Sequence, residues 1–167
     1  GVGEAGAAER GGATRLELCA NLVIGGTTPG YPLFEQVKKE TGLPVRTLIR
    51  PRFGDFLYTQ YEHRQMLQDI RHFAQAGADG VVIGSLNADG TLNTEQMQEM
   101  MEAAGSCAVT MHRAFDVCAD PFEALKKSAE LGVDTILTSG QEADCLAGCG
   151  LLKKLVQLTD QSRSEEH

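Results

Sequence analysis

A chain of 167 residues is long enough for one domain with its own hydrophobic core and too short for two. Its net charge of −8 argues against non-specific nucleic-acid binding, which needs a cationic surface. Hydrophobic residues at 42% and charged residues at 23% are ordinary for a soluble globular protein, and no run approaches the roughly 18 uninterrupted apolar residues of a membrane span.

Trp is absent, so core volume must come from Leu, Val, Ile and Ala, which suits buried parallel strands. The five cysteines lack the regular spacing of a disulfide scaffold and read as free thiols in a reducing compartment. The first residues show neither the basic nor the apolar region of a signal peptide. The expected location is therefore the cytoplasm, with the nucleus as a further one.

In chain order, residues 5–12 read as a helix that runs into a first apolar strand at 15–19 (RLELC). A helix follows over 31–41, after Pro29-Gly30, and then a strand over 45–50 (VRTLIR). Residues 60–76 place Met66, Ile70 and Phe73 at helical spacing and stop at Gly77; residues 80–84 (GVVIG) are the third strand. The next helix, 93–104, opens on a cap-like Asn93, and the fourth strand covers 108–113 (AVTMHR). Asp120 as N-cap, Pro121 at the first helical position and Gly132 at the end bound a helix over Pro121–Leu131. A fifth strand covers 134–139, and an amphipathic piece at 151–158 is followed by a polar, frayed tail.

The strand starts fall about 25 to 35 residues apart, each gap holds a helix, and no tight hairpin joins two strands. Neighbouring strands should run parallel through right-handed crossovers. The fold class expected is α/β: an incomplete TIM (β/α)8 barrel of about five strand–helix units, spanning residues 1–158, with 159–167 as the tail. A closed barrel needs eight such units and about 250 residues. A helix ahead of the first strand implies a strand lost upstream. A doubly wound open sheet is the competing architecture, but no G-x-G-x-x-G follows the first strand.

Polar residues inside the strands are the informative ones, because a buried charge is costly unless paired. Glu17 and Cys19 share a face by the period of two. Arg50 ends its strand, and Arg52 follows on the same parity, so two guanidiniums flanking Pro51 could fork around a phosphate or carboxylate. Thr110 and His112 share a face; Thr138 ends the fifth strand. All lie toward the C-terminal strand ends, where βα proteins build their sites. Each also has a plain structural reading. Glu17 could pair with Arg50 or Arg15, Arg50 and Arg52 could be salt-bridge residues, and His112 could be a satisfied core histidine rather than an acid, base or metal ligand. Asp116 could orient His112 or cap a turn. Cys145-x-x-x-Cys149 lacks further zinc-like partners and reads as free thiols. Met97, Met100 and Met101 read as core filler, and Asp55 and Glu62 as loop and helix-surface residues.

GGATRLELC (11–19), GGTTPG (25–30), IRPRFGDFLY (49–58), DGVVIGSLNADGTL (79–92), TMHRAFD (110–116) and LTSG (137–140) together resemble the CutC family of copper homeostasis proteins, in its animal-type pattern. The resemblance implies a TIM barrel of which this chain holds strands two to six. It also implies Cu(I) handling as function, with Cys19 the remaining member of a two-thiolate site whose other cysteine lies on the missing first strand. Under this reading copper(I) is the cofactor or partner. In an alternative reading the chain is a TIM-barrel enzyme for a small anionic substrate. Glu17, His112 and Asp116 would then be catalytic and Arg50, Arg52 and Thr138 substrate-binding. In a third it is a non-catalytic scaffold, since an open barrel exposes sheet edges and should form homo-oligomers. No nucleic-acid or membrane partner is expected.

Overall fold

A computed structural model describes residues 1–165. Helix α1 (Val2–Arg10) leads into β1 (Leu16–Leu18), and α2 (Tyr31–Glu40), β2 (Val45–Leu48), α3 (Gln60–Gln75) and β3 (Gly80–Ile83) follow. The chain continues through α4 (Thr94–Ala104), β4 (Ala108–Met111), α5 (Pro121–Leu131), β5 (Thr135–Ile136) and α6 (Cys149–Glu165). The five strands form one parallel sheet in the order β1-β2-β3-β4-β5. Each strand lies beside its predecessor, with a helix in every crossover. That is the wall of an incomplete TIM barrel, since a doubly wound sheet reverses its strand order at a switch point.

Local chemistry sets the helix starts. Thr59 and Glu62 form a capping box at α3: the Thr59 hydroxyl accepts from the Glu62 amide, and the Glu62 carboxylate accepts from the Thr59 amide at 2.8 Å. Asn93 caps α4 through the Gln96 amide, and Asp120 caps α5 through the amides of Phe122 and Glu123.

Alternation along the strands then sorts side chains onto two faces. Val45, Ile49, Val81, Ile83, Val109 and Met111 point outward and are buried with Phe34, Val37, Met66, Ile70, Phe73, Met97 and Met100 from the helices. The methionines at 97 and 100 are core filler, as their spacing indicates.

The strands end earlier than their apolar runs, most of all the last. Residues 134–139 read as a strand, but only Thr135–Ile136 pair. Asp134 bends its carboxylate onto the Val109 amide at 2.7 Å, while Thr138 and Ser139 turn away toward Asp116. Helix α6 starts two residues before the expected piece and runs to Glu165, into the segment read as a polar tail; residues 166 and 167 lie outside the described residues.

Candidate functional site

The inner face of the sheet is assembled in register. Glu17 pairs with Arg46, Arg46 with Gly80 and Gly80 with Ala108; one layer up, Leu48 pairs with Val82, Val82 with Thr110 and Thr110 with Thr135. Arg46 lies across this face, with its Nη1 donating to the hydroxyls of Thr110 and Thr135. Gly80 makes room for it, because a Cβ there would meet Arg46 Cγ at 2.9 Å and the Ala108 carbonyl at 2.7 Å.

Above this layer, at the C-terminal strand ends, a cavity of about 280 Å³ is lined by Glu17, Cys19, Arg50, Phe56, His112 and Arg113 among others. Four of the residues expected from the sequence, Glu17, Cys19, Arg50 and His112, thus come together. Glu17 is not buried, however. It stands on the edge strand, exposed, and among the described residues no hydrogen bond or ion pair engages it, so it is not the partner of Arg50 or Arg15. The Cys19 thiol is half-buried, and burial followed by the nearby Glu17 charge raises its pKa.

The Arg50 guanidinium is buried and used as a brace. It donates to the carbonyls of Gly26 at 3.1 Å and Ile24 at 3.5 Å in one loop and Gly54 at 2.9 Å in another, and it stacks on Phe56 at 5.1 Å. Among the described residues no carboxylate balances its charge. Arg52 goes elsewhere. The chain leaves the strand after Leu48 and bends from Pro51 to Gly54, so the period of two does not carry past Arg50. Arg52 instead binds Glu62 at 2.5 Å, Asp55 at 3.0 Å and the Leu57 carbonyl at 2.8 Å, and lies over the Tyr58 ring. The two guanidiniums do not form one fork. Tyr58 is buried beside them, its hydroxyl pushed up to about 12 by burial against the opposing charges of Arg50 and Arg52.

His112 is buried at the floor of the cavity, its ring 4.9 Å from that of Phe56. The Ala114 amide donates to Nδ1 at 3.1 Å, and Nε2 has no protein partner. Burial, and then the Arg50 charge, push its pKa down to about 3. Gly84 is required beneath it, since a Cβ there would come within 2.5 Å of His112 Cε1.

Asp116 does not reach His112. Its buried carboxylate accepts from Thr138 Oγ1 at 2.5 Å, from the amides of Ser139 and Gln141 at 3.1 Å each, and from Arg113 Nε at 2.7 Å. Burial alone would raise its pKa, but these donors outweigh it and hold the carboxyl below its usual range. Thr138 belongs to this clip, which ties the loop after β4 to the loop after β5 and directs Arg113 toward the cavity. Arg46, Arg113 and Ser139 are the participants the sequence reading overlooked. Arg46 shares the parity of Arg50, and Arg113 and Ser139 sit inside TMHRAFD and LTSG.

Copper(I) favours two or three soft thiolate donors. Among the described residues no three His, Cys, Asp or Glu side chains converge, and Cys19 is the thiol in the cavity lining. His112 Nε2 carries a proton while Nδ1 accepts from Ala114, so it offers no lone pair. A single thiol does not complete a Cu(I) site. A second, wider groove of about 530 Å³ lies between α5, β5 and α6, but there Asp134 is spent on Val109 and Ser128 on the Met111 sulfur.

The sequence profile of the CutC family matches residues 2–164. The family protein CutC of Klebsiella pneumoniae is 49% identical over 153 residues, covering 92% of this chain and 62% of that protein. The CutC of Salmonella typhimurium is 46% identical over the same length, again covering 92% and 62%. The chain therefore spans 62% of the length of these relatives. Among solved structures, a CutC copper homeostasis protein from Streptococcus agalactiae superposes with a TM-score of 0.82 at 32% identity, covering 86% of this chain and 72% of that one. A Schiff-base-forming fructose-1,6-bisphosphate aldolase superposes at 0.63 with 17% identity, covering 91% and 60%, a likeness of fold alone. Profile, relatives and superposed wall agree: this chain belongs to the CutC family.

Proposed function

We propose that the chain serves copper homeostasis through a pocket that binds a small anionic molecule at the strand ends, with Glu17 as the group that exchanges a proton. The observation that carries this reading is the buried Nε2 of His112, left without a partner on a residue that lines one cavity together with Arg50. Buried polar groups are nearly always hydrogen-bonded, and an exception in a cleft points to a ligand. Glu17 is the free carboxylate on the rim, able to accept a proton. Thermal-shift titration with inorganic phosphate and acetate tests the pocket: both should stabilise the parent chain, and an unchanged Tm across the series would reject it.

A second reading is direct contact with Cu(I) at Cys19, favoured by the thiol's place on the cavity wall. One thiolate would hold the ion weakly. Anaerobic Cu(I) titration against a strong chelator should then distinguish the parent from Cys19→Ser, and equal retention by both would remove Cys19 as the ligand.

A further inference from the structure

His112 is held in one protonation state by three neighbours. The Ala114 amide donates to Nδ1 from two residues along the chain, at 3.1 Å. An imidazole nitrogen that accepts a hydrogen bond carries no proton, so in the neutral ring the proton sits on Nε2. The Gly84 backbone lies against the ring on one side and Phe56 at 4.9 Å on another, so the ring is packed in place, and a flip would give up the Ala114 bond. The charged groups around it are Arg50 and Arg113, both cationic, and Glu17 on the exposed edge; Cys19 is the remaining titratable group of the lining, and Tyr58 lies behind Arg50. A second proton on the ring would break the Ala114 bond and place an imidazolium beside Arg50.

What remains is a fixed, unpartnered N–H donor on a residue that lines the cavity. Such a donor does not take a proton from a ligand and does not bind a cation. It matches an oxygen with lone pairs. The Arg50 guanidinium adds the sign of the charge: it is buried, and its hydrogen bonds go to backbone carbonyls rather than to a carboxylate. A buried cation without a counter-charge is unfavourable, and a bound anion would relieve it.

We propose that His112 is a permanent neutral donor rather than an acid, base or metal ligand, and that its Nε2–H binds an oxyanion of the ligand, a carboxylate or phosphate oxygen, with the Arg50 charge behind it. This deepens the anionic-pocket reading and rests on it. It divides the work of the site. Glu17 is the group that changes protonation, while His112 polarises the oxygen it holds. A neutral imidazole stabilises developing negative charge on that oxygen without surrendering its own proton.

The test is nitrogen NMR of the intact chain labelled with 15N-histidine, with the His112 signals assigned by their loss in His112→Phe. Between pH 5 and 8 the Nε2 of His112 should stay protonated and Nδ1 unprotonated, and acetate or inorganic phosphate should shift the Nε2–H signal saturably. Affinity for the same two anions should fall about tenfold or more in His112→Phe and recover in part in His112→Gln, which restores an N–H at similar reach. Titration of the ring within that range, or loss of the Nε2 proton on adding Cu(I), would overturn the donor role whether or not anions bind. Saturable binding that leaves the Nε2–H signal still would overturn His112 as the oxyanion contact while the anionic pocket stood. Absence of any binding would overturn both.

Discussion

The two faces of this sheet come from the same strands and follow opposite rules. The outward face is dry: Val45, Val81, Ile83 and Met111 are almost wholly buried, packed in the hydrophobic core with apolar side chains of the helices. The inward face alternates with them one residue out of phase and carries Glu17, Arg46, Arg50, Thr110 and His112. One face contributes stability through volume, the other holds geometry through donors and acceptors. Mutations should therefore separate the two.

The largest effect is expected on the dry side. Ile83→Ala should cost about 2–5 kcal/mol in urea unfolding, through lost transfer energy and the cavity left behind. A value below 1 kcal/mol would mean that the outer face is loosely packed. Asp116→Asn should come next. It weakens a buried acceptor of the clip and should cost about 1–3 kcal/mol near neutral pH. Because the folded carboxyl titrates below its usual value, its contribution is full above the unfolded value of about 4 and is lost as the pH falls through the lower folded value. The parent–variant difference should hold steady from pH 7 to 5 and shrink in the acid limb; a flat difference down to pH 2 would show that the carboxylate is not the operative group.

Gly84→Ala should cost about 1–3 kcal/mol by crowding the His112 ring. Unlike the first two, it should also displace His112 and abolish acetate or phosphate binding. Retained binding would place the anion elsewhere. The smallest effect is expected at Thr59→Ala, about 1 kcal/mol from the lost α3 cap with no change at the pocket.

The dry face was legible in the sequence because burial follows hydrophobic period, and the five strands and their parallel order came from that pattern and from the helix in every gap. The polar face was legible only as far as the chain stays extended. Parity brought Glu17, Cys19, Arg50 and His112 to one cavity, but it misdirected Arg52, which lies past the bend at Pro51. It also applied to Arg46, which drew no attention in mid-strand. The Asp116 clip joins residues 22 to 25 positions apart through loop geometry, and no local pattern encodes such a contact.

The Arg50 brace has a consequence for motion. One guanidinium grips both the loop after β1 and the loop after β2 through their carbonyls. Neither loop can swing away without releasing the same side chain. The mouth of the pocket should consequently open as a single cooperative unit rather than flap by flap. Backbone amides of both loops would then share one opening free energy in hydrogen exchange, and Arg50→Lys, whose single ammonium cannot span the three carbonyls, would let the two loops open independently.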